Sequence, residues 1–368
     1  MKFYLAPLEG VTGYIFRNAL DAYFPGTDRY FTPFIVPDQK HALRKKELRD
    51  ILPENNQVKE LVPQILTSDP VRFVETAKAL AEYGYEEVNL NLGCPSGTVV
   101  AGGRGAGMLA DVEKLDCFLD QIFRDTDLRI SVKTRIGIER PEEGYMLMKI
   151  YNQYPVSEVI IHPRTRKEYY KGEPHLDVFS ELLAMSKHPV CYNGNLFTVR
   201  DYEQFRARFP QVERVMIGRG VLADPGLMQR LKSLEHAQKT GEDSDRKENG
   251  MEQSGSEIYR TGKQELRAFH DTIFRQYREI FDEDKNAIFH MKELWSYLVH
   301  SFEGSEPYAK KLRKTSSLNE YRCEVGNLFR ACDLYPDGPV QWRPLINGAL
   351  PFLQQHGIAC IRSDASHS

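Results

Sequence analysis

The stretch Glu87-Val88-Asn89-Leu90-Asn91-Leu92-Gly93-Cys94-Pro95-Ser96 decides how this chain is read. Its first six residues form a short apolar run, and a glycine, a cysteine and a proline end it. A glycine-rich segment follows, Ala101-Gly102-Gly103-Arg104-Gly105-Ala106-Gly107, and then Asp111 precedes a helical pattern over 112–123. On either side of this stretch the same order of strand, polar loop and amphipathic helix recurs, eight times in all. The apolar runs are 3–5, 30–34, 61–66, 87–92, 129–134, 159–161, 190–192 and 215–217. Runs this short fit strands buried on both faces, as in a parallel sheet. Between them, Asp69-Pro70 supplies an N-cap and a first-turn proline, and that helix stops at Gly84. Thr198 and Asp201 have capping-box spacing, and Asp224-Pro225 opens a last helix. Eight such units within about 235 residues predict the α/β class, a (β/α)8 TIM barrel. A doubly wound open sheet is the alternative, but eight units exceed its usual five or six strands.

The barrel is expected over residues 1–235. Residues 236–262 turn polar and acidic and read as a flexible linker or insertion. Residues 263–361 have helical periodicity with no strand signal, so a small all-helical domain is expected there, with a disordered tail over 362–368. The 368 residues are 41% hydrophobic and 27% charged, which excludes disorder as the main state. No apolar stretch is long enough for a membrane helix. Six cysteines without a CxxC pair argue against a structural zinc site and a disulfide framework, so no metal is expected and the compartment reads as cytoplasmic. The net charge of −3 carries no global signal for nucleic acid, so RNA contact would need local patches.

Barrel ligands gather where strands end. The residues at those ends are Ala6-Pro7-Leu8, Thr32, Gln64, Asn91 with Cys94, Lys133 with Arg135, His162 with Arg164, Asn193-Gly194-Asn195 and Gly218-Arg219-Gly220. The last two loops suit a phosphate, with glycines admitting an anion to the backbone and Arg219 adding charge. A thiol with a reference pKa of about 8.5 is mostly protonated at neutral pH, so Cys94 can be a general acid; beside a base it can be a nucleophile. Lys133 suits either Schiff-base chemistry or a fixed positive charge beside an electron-accepting ring. His162, on the neighbouring strand, can hydrogen-bond a cofactor or a substrate.

With these residues in place, the sequence resembles the tRNA-dihydrouridine synthase family. The matching segments are Leu5-Ala6-Pro7-Leu8-Glu9-Gly10-Val11, Leu90-Asn91-Leu92-Gly93-Cys94-Pro95-Ser96, Ser131-Val132-Lys133-Thr134-Arg135-Ile136-Gly137, His162-Pro163-Arg164-Thr165, Tyr192-Asn193-Gly194-Asn195 and Met216-Ile217-Gly218-Arg219-Gly220. The resemblance implies an FMN enzyme, reduced by NADPH, that reduces a flipped uridine of tRNA. It implies that Cys94 protonates C5. Ala6, Pro7, Leu8, Gln64, Lys133 and His162 would face the flavin, and Asn193, Gly194, Asn195, Gly218 and Arg219 its ribityl phosphate. Asn91, Arg135 and Arg164 would meet the substrate. Leu8 stands where the family commonly has Met, Pro163 where it has Gly, and Asn195 where an acid is frequent.

Two basic clusters can serve RNA: Lys40, His41, Arg44, Lys45, Lys46 and Arg49, and Lys310, Lys311, Arg313 and Lys314. The competing readings are a reductase of small pyrimidines or enones, a Schiff-base aldolase using Lys133, and a non-catalytic RNA-binding barrel.

Overall fold

The parallel strands of this computed structural model are β1 (Lys2–Leu5), β2 (Arg29–Phe31), β3 (Leu61–Val62), β4 (Gln64–Ile65), β5 (Glu87–Leu92), β6 (Arg129–Arg135), β7 (Val159–His162), β8 (Val190–Tyr192) and β9 (Arg214–Ile217). The structure describes residues 1–38, 40–240 and 261–335; the acidic segment 241–260 and the tail from 336, with its expected disorder at 362–368, lie outside the described residues. The strand order is β3-β2-β1-β9-β8-β7-β6-β5-β4. Both ends of that order fall in the single run expected at 61–66. Pro63 separates them because it has no N–H to give the ladder. β3 therefore pairs with β2, β4 pairs with β5, and the sheet returns on itself as a nearly closed (β/α)8 TIM barrel. The strand expected over 30–34 ends at Phe31, and only an isolated bridge joins Ile35 to Ile65.

Strand alternation sorts the barrel into two cores. Val88, Leu90 and Leu92 belong to the large core between sheet and helices, whereas Tyr4, Phe31, Val62, Ile160, Cys191 and Met216 pack together as a separate cluster inside the cylinder. The helices of this layer are α1 (Tyr14–Tyr23), α2 (Lys45–Ile51), α3 (Pro70–Glu82), α4 (Gly97–Ala101), α5 (Val112–Asp125), α6 (Glu143–Tyr151), α7 (Leu176–Met185), α8 (Val199–Arg208), α9 (Arg219–Ala223) and α10 (Leu227–Thr240). The Asp69 carboxylate accepts from the N–H groups of Val71 and Arg72, and Thr198 and Asp201 form the expected capping box. Asp224 does not cap: it is ion-paired to buried Arg230, and α10 starts at Leu227. That helix runs on to Thr240, past residue 235, where Glu235 is held by the Met1 amino group at 2.9 Å and by the Tyr202 hydroxyl.

Among the described residues four helices follow: α11 (Lys263–Ile280), α12 (Asp284–Leu298), α13 (Glu306–Lys314) and α14 (Leu318–Ala331). They dock on α1 through Phe269, whose ring meets Phe16, Tyr23 and Phe24 edge-on. Ser301 donates to the Ala223 carbonyl, and His290 lies 3.4 Å from the Gly10 carbonyl. Gly10 follows β1 and Ala223 follows β9, so the helical part stands beside the C-terminal mouth of the barrel. At the opposite end Arg29 meets Glu87 at 3.2 Å, and Arg214 meets Glu158 at 3.1 Å. Burial outweighs Arg29 and Arg214 there and lifts the Glu158 carboxyl to about 7. Among the described residues no helix is long and apolar enough to cross a membrane.

Candidate active site

Parallel strands run to one mouth, and the predicted site residues lie at or near their C-terminal ends, although Gln64 opens β4, Asn91 is next to last in β5 and Lys133 stands two residues short of the end of β6. Leu8 and Ala6 line the turn at Gly218, and the Ala6 N–H donates to Ile217 at 2.9 Å. Asn193 donates to the Met216 carbonyl at 2.8 Å, and Arg219 donates to Asn195 Oδ1 at 3.0 Å, so the loops after β8 and β9 form one unit. A Cβ on Gly194 or Gly220 would collide with the Tyr192 hydroxyl or the Leu196 carbonyl, so the packing of this unit itself demands these glycines.

Four cations share the mouth. Burial and the neighbouring Arg135 lower Lys133 to about 8, and burial followed by the charge of Arg164 and Arg135 lowers Arg219 to about 10. Burial, then Arg135, Lys133, Arg164 and Arg219, push His162 far below its ordinary value, so it is neutral. Arg164 Nη1 lies 3.0 Å from His162 Nε2. A guanidinium only donates, so Nε2 accepts and the imidazole proton sits on Nδ1. Burial raises the Cys94 thiol, against the Ser96 N–H and the charges of Arg135 and Lys133, and keeps it protonated at neutral pH.

Four residues expected at cofactor or substrate have other partners here. Asn91 Oδ1 accepts the N–H groups of Gly93 and Cys94, at 3.0 and 2.9 Å, and its Nδ2 donates to Gln64 Oε1 at 2.7 Å. Gln64 Nε2 then donates to Asn89 at 2.8 Å. Arg164 turns into its own loop and donates to the carbonyls of Lys171 and Gly172, at 3.1 and 2.6 Å. Arg135 likewise donates to Gly93 and Thr165, both at 2.9 Å. The loop clamped by Arg164 carries Tyr169, at φ 54°, and Tyr170. The Tyr170 ring lies 4.8 Å from the Arg219 guanidinium, 5.4 Å from that of Arg135 and 6.0 Å from the His162 ring. Sequence reasoning missed Tyr170, Asn89 and Ser131. The alternation of Asn89 with Asn91 on an apolar strand was the available signal for one of them.

The fold and the mouth define a parallel-barrel enzyme that sets a protonated thiol beside a buried cluster of cations. A family model described as dihydrouridine synthase matches residues 4–318. Curated relatives include a tRNA-dihydrouridine(16) synthase of Pseudomonas syringae pv. tomato, 29% identical over 242 residues that cover 64% of this chain and 76% of that one. The corresponding protein of Pseudomonas putida is 31% identical over 236 residues, covering 62% and 72%. A probable tRNA-dihydrouridine synthase of Staphylococcus epidermidis is 26% identical over 339 residues, covering 89% and 94%. The chain belongs to the dihydrouridine synthase family, and it is a flavin-dependent oxidoreductase.

The residues fit a flavin mononucleotide. Such a group brings a phosphate dianion and, when reduced, a ring anion. Lys133, Arg135, Arg164 and Arg219 supply charge of matching sign, and their mutual repulsion contributes to the lowered values of His162 and Arg219. An anion in this mouth relieves that repulsion.

Proposed function

We propose that this protein reduces the C5–C6 bond of a uridine in tRNA to 5,6-dihydrouridine, with FMN as resident cofactor, NADPH as reductant and Cys94 as general acid. The observation that carries the reading is the protonated Cys94 thiol on the same mouth as the cation cluster. Pro7, Gln64, Lys133 and His162 hold the flavin ring, and Asn193, Asn195, Gly218 and Arg219 hold its phosphate. When bound, FMN supplies the hydride that adds to uracil C6. Cys94 delivers the proton to C5, from the opposite side, and Lys133 stabilises negative charge beside the ring. Neutral His162 is a hydrogen-bond donor through Nδ1 and adds no further charge to the cluster.

The tRNA lies across the mouth and the helical part. Of the two basic clusters, the first is partly neutralised: Lys46 pairs with Glu9 at 2.7 Å, and Arg44 pairs with Glu47. Lys310, Lys311, Arg313 and Lys314 are exposed on α13, whose one buried residue is Leu312, and they form the stronger RNA contact. With no membrane-crossing helix among the described residues, the reading places the enzyme with its tRNA in the cytoplasm.

The test is mass analysis of tRNA nucleosides from a strain lacking the gene, complemented with wild type or with Cys94→Ala. The reading expects one uridine to lose its two-hydrogen increment and only the wild type to restore it. Unchanged nucleosides in the deletion strain would refute tRNA as substrate. Full restoration by Cys94→Ala would refute the general acid.

A further inference from the structure

Four buried side chains run in a row beneath Cys94, across β4, β5 and β6. Gln64, Asn89 and Ser131 are each 0% exposed, and Asn91 is 7% exposed. Asn89 Nδ2 donates to Ser131 Oγ at 3.0 Å, and Ser131 Oγ faces the Val88 carbonyl at 3.5 Å. Asn89 Oδ1 accepts from Gln64, Gln64 Oε1 accepts from Asn91, and Asn91 Oδ1 accepts from the backbone of Gly93 and Cys94.

An amide has a donor end and an acceptor end, and full burial closes Gln64 and Asn89 to the bulk water that would serve a flipped one. The N–H groups of Gly93 and Cys94 are donors and demand the oxygen of Asn91. That turns the Asn91 NH2 toward Gln64, which must then present its own oxygen. Gln64 in turn presents an NH2 to Asn89, and only the Asn89 oxygen can meet it. Turning any one of the three amides sets two donors, or two acceptors, against each other at the joins.

We propose that Asn89, supported by Ser131, is a positioning residue for the Cys94 thiol: its oxygen anchors the far end of the Gln64–Asn91 row, whose polarity the Gly93 and Cys94 N–H groups dictate, and so holds in place the amide that fixes the backbone carrying the sulfur. The proposal deepens the reading of Cys94 as proton donor and rests on it. Asn89 touches neither the thiol nor the substrate. It acts through two amides, and its effect is on where the sulfur stands.

Two variants separate this role from plain packing. Asn89→Leu fills the space and removes both hydrogen bonds. Asn89→Asp keeps an acceptor for Gln64, and the Ser131 hydroxyl can rotate to donate to its second oxygen, so the polarity of the row survives. The readouts are turnover of unmodified tRNA by the holoenzyme and the pH profile of Cys94 alkylation by iodoacetamide. Alkylation is followed by mass spectrometry on the Cys94 peptide, because Cys117 and Cys323 are exposed. A misplacement near 1 Å can lower a rate on the order of a hundredfold, so Asn89→Leu is expected to lower kcat by about tenfold or more with KM for tRNA little changed. Freed from its buried position, the thiol should ionise at lower pH, so alkylation at neutral pH speeds up while turnover slows. Asn89→Asp should return both readouts toward wild type.

Wild-type kcat and alkylation in Asn89→Leu would overturn the proposal, as would an Asn89→Asp variant no better than Asn89→Leu. If Asn89→Leu fails to fold, Ser131→Ala removes only the far end of the row and is expected to show the same two changes in weaker form; wild-type behaviour in that variant would count as refutation. Cys94→Ser separates the two ideas. If it turns over tRNA at the wild-type rate, the proton-donor reading fails, whereas the alkylation profile of Asn89→Leu still decides whether the row positions the sulfur.

Discussion

Gly105→Ala should disable the enzyme through Cys94, and the size of the effect can be worked from the geometry. Gly105 has φ 56°, and a Cβ there would stand 2.9 Å from Val99 Cγ1, 3.0 Å from the Cys94 carbonyl oxygen and 3.1 Å from Cys94 Cβ. The left-handed backbone costs an alanine roughly 1–2 kcal/mol. Forcing a methyl into a filled site costs roughly 1–3 kcal/mol more. Together these give about 2–5 kcal/mol of local strain, and two of the three atoms in the way belong to Cys94. The Ala106 N–H also bonds the Cys94 carbonyl at 3.1 Å, so the two segments move as one. Shifting the cysteine is therefore the direct relief, and a shift approaching 1 Å costs on the order of a hundredfold in rate. Gly103 is the control. It has φ 64° but a methyl there would meet nothing within 4 Å, so Gly103→Ala carries the backbone cost alone. The assay is turnover of unmodified tRNA beside thermal unfolding for both variants. Gly105→Ala should lose about tenfold to a hundredfold more activity than Gly103→Ala, with its unfolding temperature lower by no more than the few degrees that roughly 1–3 kcal/mol of extra strain implies. Equal activity losses in the two variants would refute the reasoning, since they would show that the clash with Cys94 has no consequence.

Three further outcomes follow from other parts of the molecule. Arg164→Ala strands the buried His162 Nε2, worth roughly 1–3 kcal/mol when left unsatisfied, and unclamps the exposed carbonyls of Lys171 and Gly172; limited proteolysis should cut between residues 165 and 174, and an uncut variant that loses only tRNA affinity would return Arg164 to the substrate. The Glu158 carboxyl is raised from 4.5 to about 7, so the folded state holds its proton more tightly than the unfolded one does. Its share of stability is present below pH 4.5 and is lost as pH rises through about 7; urea unfolding at pH 5 and pH 8 should differ less in Glu158→Gln than in wild type, and an equal difference would contradict the assignment. Reversing charge at Lys310 and Lys311 should weaken tRNA binding and flatten its dependence on salt by roughly one unit of slope for each phosphate that goes unneutralised; binding isotherms at several salt concentrations that superimpose on wild type would remove α13 from the RNA-binding surface.

The short apolar run through Glu87–Leu92 was enough to read the strand and where it ends, although the alternation of Asn89 with Asn91 that sorts its faces went unread. It placed Asn91 at the mouth. It held no record of which end of the amide faces which neighbour, since oxygen and NH2 are nearly the same size and only the partners choose between them. Those partners are the Cys94 backbone, three residues further on, and Gln64, which meets Asn91 only once β4 has paired with β5. Arg164 was legible only in part, for a related reason. Its proximity to His162 is fixed by two residues of sequence, but its remaining donors go to carbonyls of Lys171 and Gly172, which reach it only once the loop through Tyr169 has closed. Helix α13 is nine residues long with only Tyr308, Ala309 and Leu312 on its apolar side, too short a pattern to stand out in the sequence. The cation cluster follows from the same closure. Backbone carbonyls meet the N–H groups of Arg135 and Arg164 as water would, but a carbonyl dipole cancels no net charge. The guanidinium groups are thereby desolvated at tolerable cost while their positive field persists at the mouth, and that field, together with burial, holds His162 neutral and prepares the site for an anion.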